Sequence, residues 1–291
     1  MVVHFGVVSV ARVARFALID GDRARFEGSP RLLPADMDEA LARDSAELRR
    51  SLHAAASSPD LVEAAIGPEA TLLAPVGREQ EVWAAGVTYR RSLDARTAES
   101  SRRTVYDLVY EADRPELFFK CPVRRVVGPG DAVGIRSDSS WDVPEPELTL
   151  AINACGEIVG YTLGNDMSSR SIEGANPLYL PQAKTYERSC AIGPVVVPAW
   201  EVPRPEEITI DLSILRARDA VFRAGISVGS MRRSLADLVS YLTRALEFPH
   251  GVFLLTGTGI VPPDDFTLQQ GDEVHISSPT IGELVNTVVP V

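Results

Sequence analysis

The segment Glu147–Asp166 constrains the fold more than any other part of the chain. It reads ELTLAINACGEIVGYTLGND, two apolar runs around a polar turn at Asn153 to Gly156. Short apolar runs bounded by turn residues predict two buried strands paired as a hairpin. Much of the remaining sequence has the same character. VVHFGVVSV, RFALID and ARF near the N-terminus read as strands, as do EVWAAGVTY, LFFKC, AIGPVVVPAW, EITIDLSIL, FLLTGTGIV and EVHISS further on. Gly128-Pro129-Gly130-Asp131 reads as a turn between strands. Three segments read as helices. Met37, Leu41, Leu48 and Leu52 share one face over 36–56, and 60–66 adds a short helix. SMRRSLADLVSYLTRAL gives the clearest helical face, through Leu235, Leu238, Val239, Leu242 and Leu246, and Pro249 stops it. The fold class is therefore α+β, mostly β. Residues 1–70 read as a small N-terminal α+β domain and 71–291 as a second, larger domain.

The chain of 291 residues is 45% hydrophobic, enough to bury a core without disulfide support. Its 29 basic and 40 acidic residues give a net charge of −11, which disfavours nucleic acid and anionic membranes as partners. A small anionic substrate remains compatible if a cation sits in the site. The three cysteines, Cys121, Cys155 and Cys190, form no C-x-x-C, so neither a disulfide framework nor a zinc site follows. Arg12 and Arg15 interrupt the apolar N-terminus, which rules out a signal-peptide reading, and no run is long enough to span a bilayer. The expectation is a cytoplasmic protein.

The carboxylates carry the first chemical signal. Glu145 and Glu147 are two apart in Trp141-Asp142-Val143-Pro144-Glu145-Pro146-Glu147, so an extended chain projects them to one side. The flanking prolines suit an edge strand. Paired carboxylates need a cation, a shared proton or water. A solvated acidic edge is the plain alternative, but LTLAI follows at once, which puts the pair at the mouth of a buried strand. Asp166 closes the strand IVGYTL and is placed to add a third oxygen ligand; a turn or helix-cap aspartate is its ordinary role. Three carboxylates without histidine favour a hard cation, Mg²⁺ first, with Mn²⁺ or Ca²⁺ as alternatives.

Other groups follow. Lys184, in LPQAK, is a surface charge unless partly desolvated near a metal, where it acts as a base. Glu116 precedes two phenylalanines; beside a pocket it would serve as a general acid, and otherwise it is an exposed residue at a strand start. None of His4, His53, His250 and His275 lies in these elements, so a histidine relay has no member.

In order along the chain stand GVTY (Gly86 to Tyr89), P-x-x-F-x-K (Pro115 to Lys120), E-x-E-L (Glu145 to Leu148), G-Y-T-x-x-N-D-x-S-x-R (Gly160 to Arg170), Lys184 before Gly193-Pro194, and T-G-T (Thr256 to Thr258). With these motifs the chain resembles the fumarylacetoacetate hydrolase family from about Trp83 onward. The resemblance implies a mixed β-sandwich roll, a homodimer or homotetramer, Mg²⁺ held by Glu145, Glu147 and Asp166, and a site lined by Lys184, Tyr89, Arg170 and Thr258. Two departures bear on activity. Hydrolases of the family usually carry a histidine shortly after the GxNY-type tyrosine, where this chain has Arg90, Arg91, Ser92, Leu93 and Asp94. The residue after Arg170 is Ser171, where aspartate is common.

SIEGANPLYLPQAKTYERSCAIGP, with GVTYRRS and RPELFFK, is similar to the branch of the family that dehydrates 2-keto-3-deoxy pentonates. The activity so implied is metal-dependent loss of water from a small anionic 2-keto acid to give 2,5-dioxopentanoate. Lys184 would take a C3 proton, Glu116 would protonate the departing C4 hydroxyl, and Arg90 or Arg170 would hold the substrate carboxylate or orient a ligand carboxylate. Three alternatives stand beside it: acylpyruvate or diketone hydrolysis, a Schiff base on Lys184, and a non-catalytic keto-acid binding protein. Charge and position suggest a lid over residues 90–112.

Overall fold

A computed structural model describes residues 3–11, 13–27, 33–67, 69–90 and 108–291. The predicted hairpin is at its centre. Strands Pro146–Ile152 and Ile158–Asp166 pair antiparallel, with Leu148 opposite Leu163 and Leu150 opposite Tyr161. Their turn is built by Asn153, whose Oδ1 accepts from Cys155 N at 3.1 Å and Glu157 N at 2.8 Å, and it leaves Cys155 exposed. Gly164 leaves room for side chains of the neighbouring strands: a Cβ there would collide with the Leu255 side chain and the Thr149 hydroxyl.

The strand after Glu145 is central, which corrects the edge-strand expectation. Val252–Leu255 pairs on its other side. The prolines are tolerated because they sit where the ladder opens, and side chains complete it there: Glu145 N donates to Asn165 Oδ1 at 3.2 Å.

The large sheet runs, in spatial order, Leu61–Ala65, Arg23–Glu27, Val13–Asp20, His4–Val10, Cys190–Pro198, Ile158–Asp166, Pro146–Ile152, Val252–Leu255, Glu81–Gly86, Glu116–Pro122. A five-stranded sheet faces it, ordered Asp219–Ser227, Thr209–Arg216, Glu273–Ser278, Gly282–Pro290, Ala132–Ile135. Between them lies the main core. Leu148, Leu150 and Leu163 meet Ile210, Leu212, Ile214, Val274, Ile276 and Leu284, with helix Leu235–Leu242 supplying Leu238, Val239 and Leu242. Alternating burial along Thr209–Arg216 matches a strand with one wet face. The architecture is mostly β with mixed sheets, the expected fold class.

The opposite face of the large sheet is covered by helices Met37–Ala42 and Ser45–Ala56. Met37, Leu41, Leu48 and Leu52 pack there on Val82, Ala84, Ile192 and Phe253. The N-terminal strands join the rest of the sheet through the pair Phe5 and Val196.

Several local expectations are corrected. The single helix over 36–56 is two, because Arg43 is extended and Asp44 restarts the helix by accepting from Glu47 N at 2.7 Å. Residues Leu61–Ala65 form a strand paired with Arg23–Glu27, so cross-strand pairing overrides the short helical pattern. The late helix starts at Leu235, where Ser234 caps Asp237 N at 3.0 Å, and ends before Leu246, which is exposed. The strand at FLLTGTGIV stops at Leu255, and 256–261 continue as buried loop. Among the described residues no helix is long and apolar enough to cross a membrane.

Candidate active site

The open end of the hairpin gathers the three predicted carboxylates. Asp166 N donates to Glu145 O at 3.0 Å, and Glu147 lies opposite Gly164, two residues before Asp166. This register places one carboxylate oxygen of each of Glu145, Glu147 and Asp166 within 4.8 Å of the others, all three side chains buried.

Three buried cations surround them. Lys184 ends the short helix Leu180–Lys184 and donates to Glu145 Oε2 at 2.5 Å, Asp166 Oδ2 at 3.0 Å and Ser168 Oγ at 2.6 Å. Arg170, at the start of helix Arg170–Ala175, donates to Glu145 Oε1 at 2.7 Å, so it orients a carboxylate of the cluster. Lys120 approaches Asp166 Oδ1 at 2.5 Å and also donates to the backbone oxygens of Met167 and Lys184. Buried ions persist only with such pairing.

Glu147 is served differently. It accepts from Gly257 N at 2.5 Å, and no lysine or arginine pairs with it directly among the described residues. Burial, and then the neighbouring Asp166 and Glu145 charges, push its carboxyl well above the usual range. A divalent cation among the three oxygens would relieve that repulsion. An all-oxygen donor set of three carboxylates fits Mg²⁺.

A small, nearly enclosed cavity opens on the cluster. Glu116, Phe118, Glu145, Asp166, Glu173, Lys184 and Thr258 line it. Gly86 makes room for Glu116, since a Cβ there would collide with the Glu116 carboxyl. Tyr89 is buried beside Gly259; burial and the nearby Glu147 charge raise its phenol. Arg90 is exposed and is not among the residues lining the cavity. Of the lid expected over 90–112, residues 91–107 lie outside the described residues.

The sequence pattern assigned no role to Lys120, Ser168 or Glu173, whereas Thr256-Gly257-Thr258-Gly259 reads as a glycine-permitted close approach of backbone, and in the structure Gly257 N meets Glu147. Lys120 was findable: Glu116, Phe118 and Lys120 alternate along one strand and so share a face. Gly257 has φ +93°, and a Cβ there would strike the Thr88 hydroxyl and crowd Ala85 O at 3.0 Å. Gly257→Ala is therefore expected to cost about 1–3 kcal/mol in stability and to displace the donor to Glu147. Thermal unfolding with and without Mg²⁺ checks this.

A family model for the fumarylacetoacetate hydrolase C-terminal domain matches residues 81–289. The chain belongs to the fumarylacetoacetate hydrolase family. Within that family it is 52% identical, over 217 residues, to a Haloferax volcanii protein named "Probable 2-keto-3-deoxyxylonate dehydratase", covering 75% of this chain and 74% of that one. It is 42% identical over 212 residues to a 2-dehydro-3-deoxy-D-arabinonate dehydratase of Saccharolobus solfataricus, covering 72% and 71%. A solved 2-keto-3-deoxy-D-arabinonate dehydratase, complexed with magnesium and 2,5-dioxopentanoate, superposes with a TM-score of 0.81 at 32% identity over 99% of both chains. All four histidines of this fumarylacetoacetate hydrolase family member lie away from the cavity lining.

Proposed function

We propose that the protein is a hydro-lyase that converts 2-keto-3-deoxy-D-pentonate, derived from D-arabinonate or D-xylonate, into 2,5-dioxopentanoate in sugar acid catabolism. The observation that carries this reading is the buried carboxylate cluster with Lys184. It sits in a fold that matches, end to end, a dehydratase holding magnesium and this product.

Glu145, Glu147 and Asp166 would hold the Mg²⁺. Bound there, the ion would supply Lewis-acid polarisation of the 2-oxo group, which makes the C3 hydrogens more acidic. Lys184, held at the cluster by Glu145, Asp166 and Ser168, would be the base that takes the C3 proton once it has released one of its own. Glu116, which lines the same cavity, would give its proton to the departing C4 hydroxyl. Arg170 keeps Glu145 in place, and Tyr89 and Thr258 bound the substrate. The first 70 residues serve as a small N-terminal domain backing the catalytic sheet. The working form is a cytoplasmic homodimer or homotetramer.

Glu116→Gln is expected to leave Mg²⁺ binding intact and to lower dehydration about 10²–10⁴-fold. Calorimetric titration of Mg²⁺ and a turnover assay separate the two; normal turnover would remove Glu116 from the acid role. The reading itself is tested with purified protein, Mg²⁺ and 2-keto-3-deoxy-D-pentonate, following 2,5-dioxopentanoate with an EDTA control. Product that vanishes with EDTA supports it. No product, with pyruvate released from acylpyruvates instead, overturns it in favour of hydrolysis.

A further inference from the structure

We propose that Glu173 is a third proton-transfer group of this site, moving a proton from C5 to C4 of the substrate after water has left. The inference rests on the dehydratase reading and extends it past the loss of water.

The chemistry requires such a group. Removing a C3 proton and the C4 hydroxyl gives 5-hydroxy-2-oxopent-3-enoate, an isomer of 2,5-dioxopentanoate. Reaching the aldehyde means taking a hydrogen from C5 and placing one on C4. Lys184 is poorly placed for that end of the molecule. Its Nζ is held by Glu145, Asp166 and Ser168, at the carboxylate cluster where the 2-oxo end must sit. Glu173 lines the same cavity and is only 3% exposed. It lies one turn beyond Arg170 on helix Arg170–Ala175, and residues three apart share a helix face. Arg170 fixes that turn through Glu145, so the Glu173 carboxyl is presented from a rigid element.

The proton count closes with three groups. Lys184 takes a C3 proton, and that electron pair forms C3=C4 as the C4–O bond breaks. Glu116 gives its proton to the oxygen, and water departs. The Glu173 carboxylate then takes a C5 proton. Its electron pair becomes C4=C5, the C3=C4 pair moves to C2=C3, and the 2-oxo oxygen receives the charge. Lys184 returns its proton to C3, restoring the ketone and leaving a C4=C5 enol. Glu173 gives its proton to C4, while the C5 hydroxyl proton passes to the Glu116 carboxylate and C5=O forms. All three groups end as they began, with no outside acid or base.

The test is Glu173→Gln, a near-isosteric change, assayed for substrate consumption and for aldehyde separately, with Mg²⁺ binding measured by titration. The expected result is continued substrate consumption, accumulation of the absorbing enone, and aldehyde formation slowed by about 10²-fold or more. Aldehyde at the wild-type rate overturns the inference. So does loss of substrate consumption with Mg²⁺ binding intact, which would place Glu173 at or before water loss. The unaltered enzyme with substrate dideuterated at C5 provides a second measurement: deuterium should appear at C4 of the product. A product with no deuterium at C4 overturns the inference and leaves the dehydratase reading standing. If the unaltered enzyme consumes no substrate, that reading fails, and the inference with it.

Discussion

Asp166→Asn is expected to abolish Mg²⁺ binding and to lower turnover about 10³-fold or more. Two buried cations converge on Asp166, as two do on Glu145. Lys120 meets one of its oxygens at 2.5 Å and Lys184 the other at 3.0 Å, and its carboxylate belongs to the three-oxygen cluster. An amide keeps the shape but removes the charge that a metal and two ammonium groups share. Losing several kcal/mol of transition-state stabilisation corresponds to that rate effect. The fold should suffer too, because removing one partner of a buried ion pair costs about 3–5 kcal/mol. Mg²⁺ titration, turnover and thermal unfolding each report on one of these. Wild-type turnover in metal-stripped Asp166→Asn protein would remove the cluster from the mechanism.

Lys184→Met is expected to lower dehydration by about 10²–10⁴-fold while leaving Mg²⁺ affinity equal to that of the parent or higher. The reason is competition. In the structure the ammonium donates to Glu145 Oε2 and Asp166 Oδ2, two carboxylates that a bound ion would claim. Methionine fills the space without that claim, and its thioether takes the place of the Nζ that lies 5.8 Å from the Phe118 ring centroid. A parallel fall in affinity and turnover would make Lys184 a structural support of the cluster. Wild-type turnover would exclude it as the base. Borohydride trapping of a substrate adduct would instead assign it a Schiff-base role.

The parts of the fold that were legible in sequence are those where local pattern and tertiary need agree. The hairpin around Asn153 is one: apolar runs, a turn-forming asparagine and Gly156 with φ +75° all favour the same chain reversal. Glu145 and Glu147 were legible as a pair because a strand alternates sides. The status of their strand as central was not, since that depends on Val252–Leu255, a hundred residues away. The break at Arg43 was hidden because apolar spacing continues across it, and only the Asp44 cap gives it away. Lys120 was legible as a strand neighbour of Glu116 and Phe118, but its contact to Asp166 was not, because that contact crosses from one strand to the end of another. Gly257 was legible as a glycine that lets backbone approach closely, but its partner Glu147 was not, because that contact joins positions 110 residues apart.

The hairpin also offers a ruler. Its turn carries Cys155, the exposed member of the cysteine set, while Cys121 and Cys190 are buried. A maleimide or nitroxide reagent should therefore react at one place, and that place is the far end of the two strands that present the carboxylates. Six residue steps of extended chain lead from Glu147 to Asn153, roughly 20 Å. Mn²⁺ accepts the same oxygen donors as Mg²⁺ and is paramagnetic. A spin label on Cys155 and Mn²⁺ in the cluster would thus form a spectroscopic pair along a rigid strut, reading out metal occupancy and position in solution without altering any residue of the site.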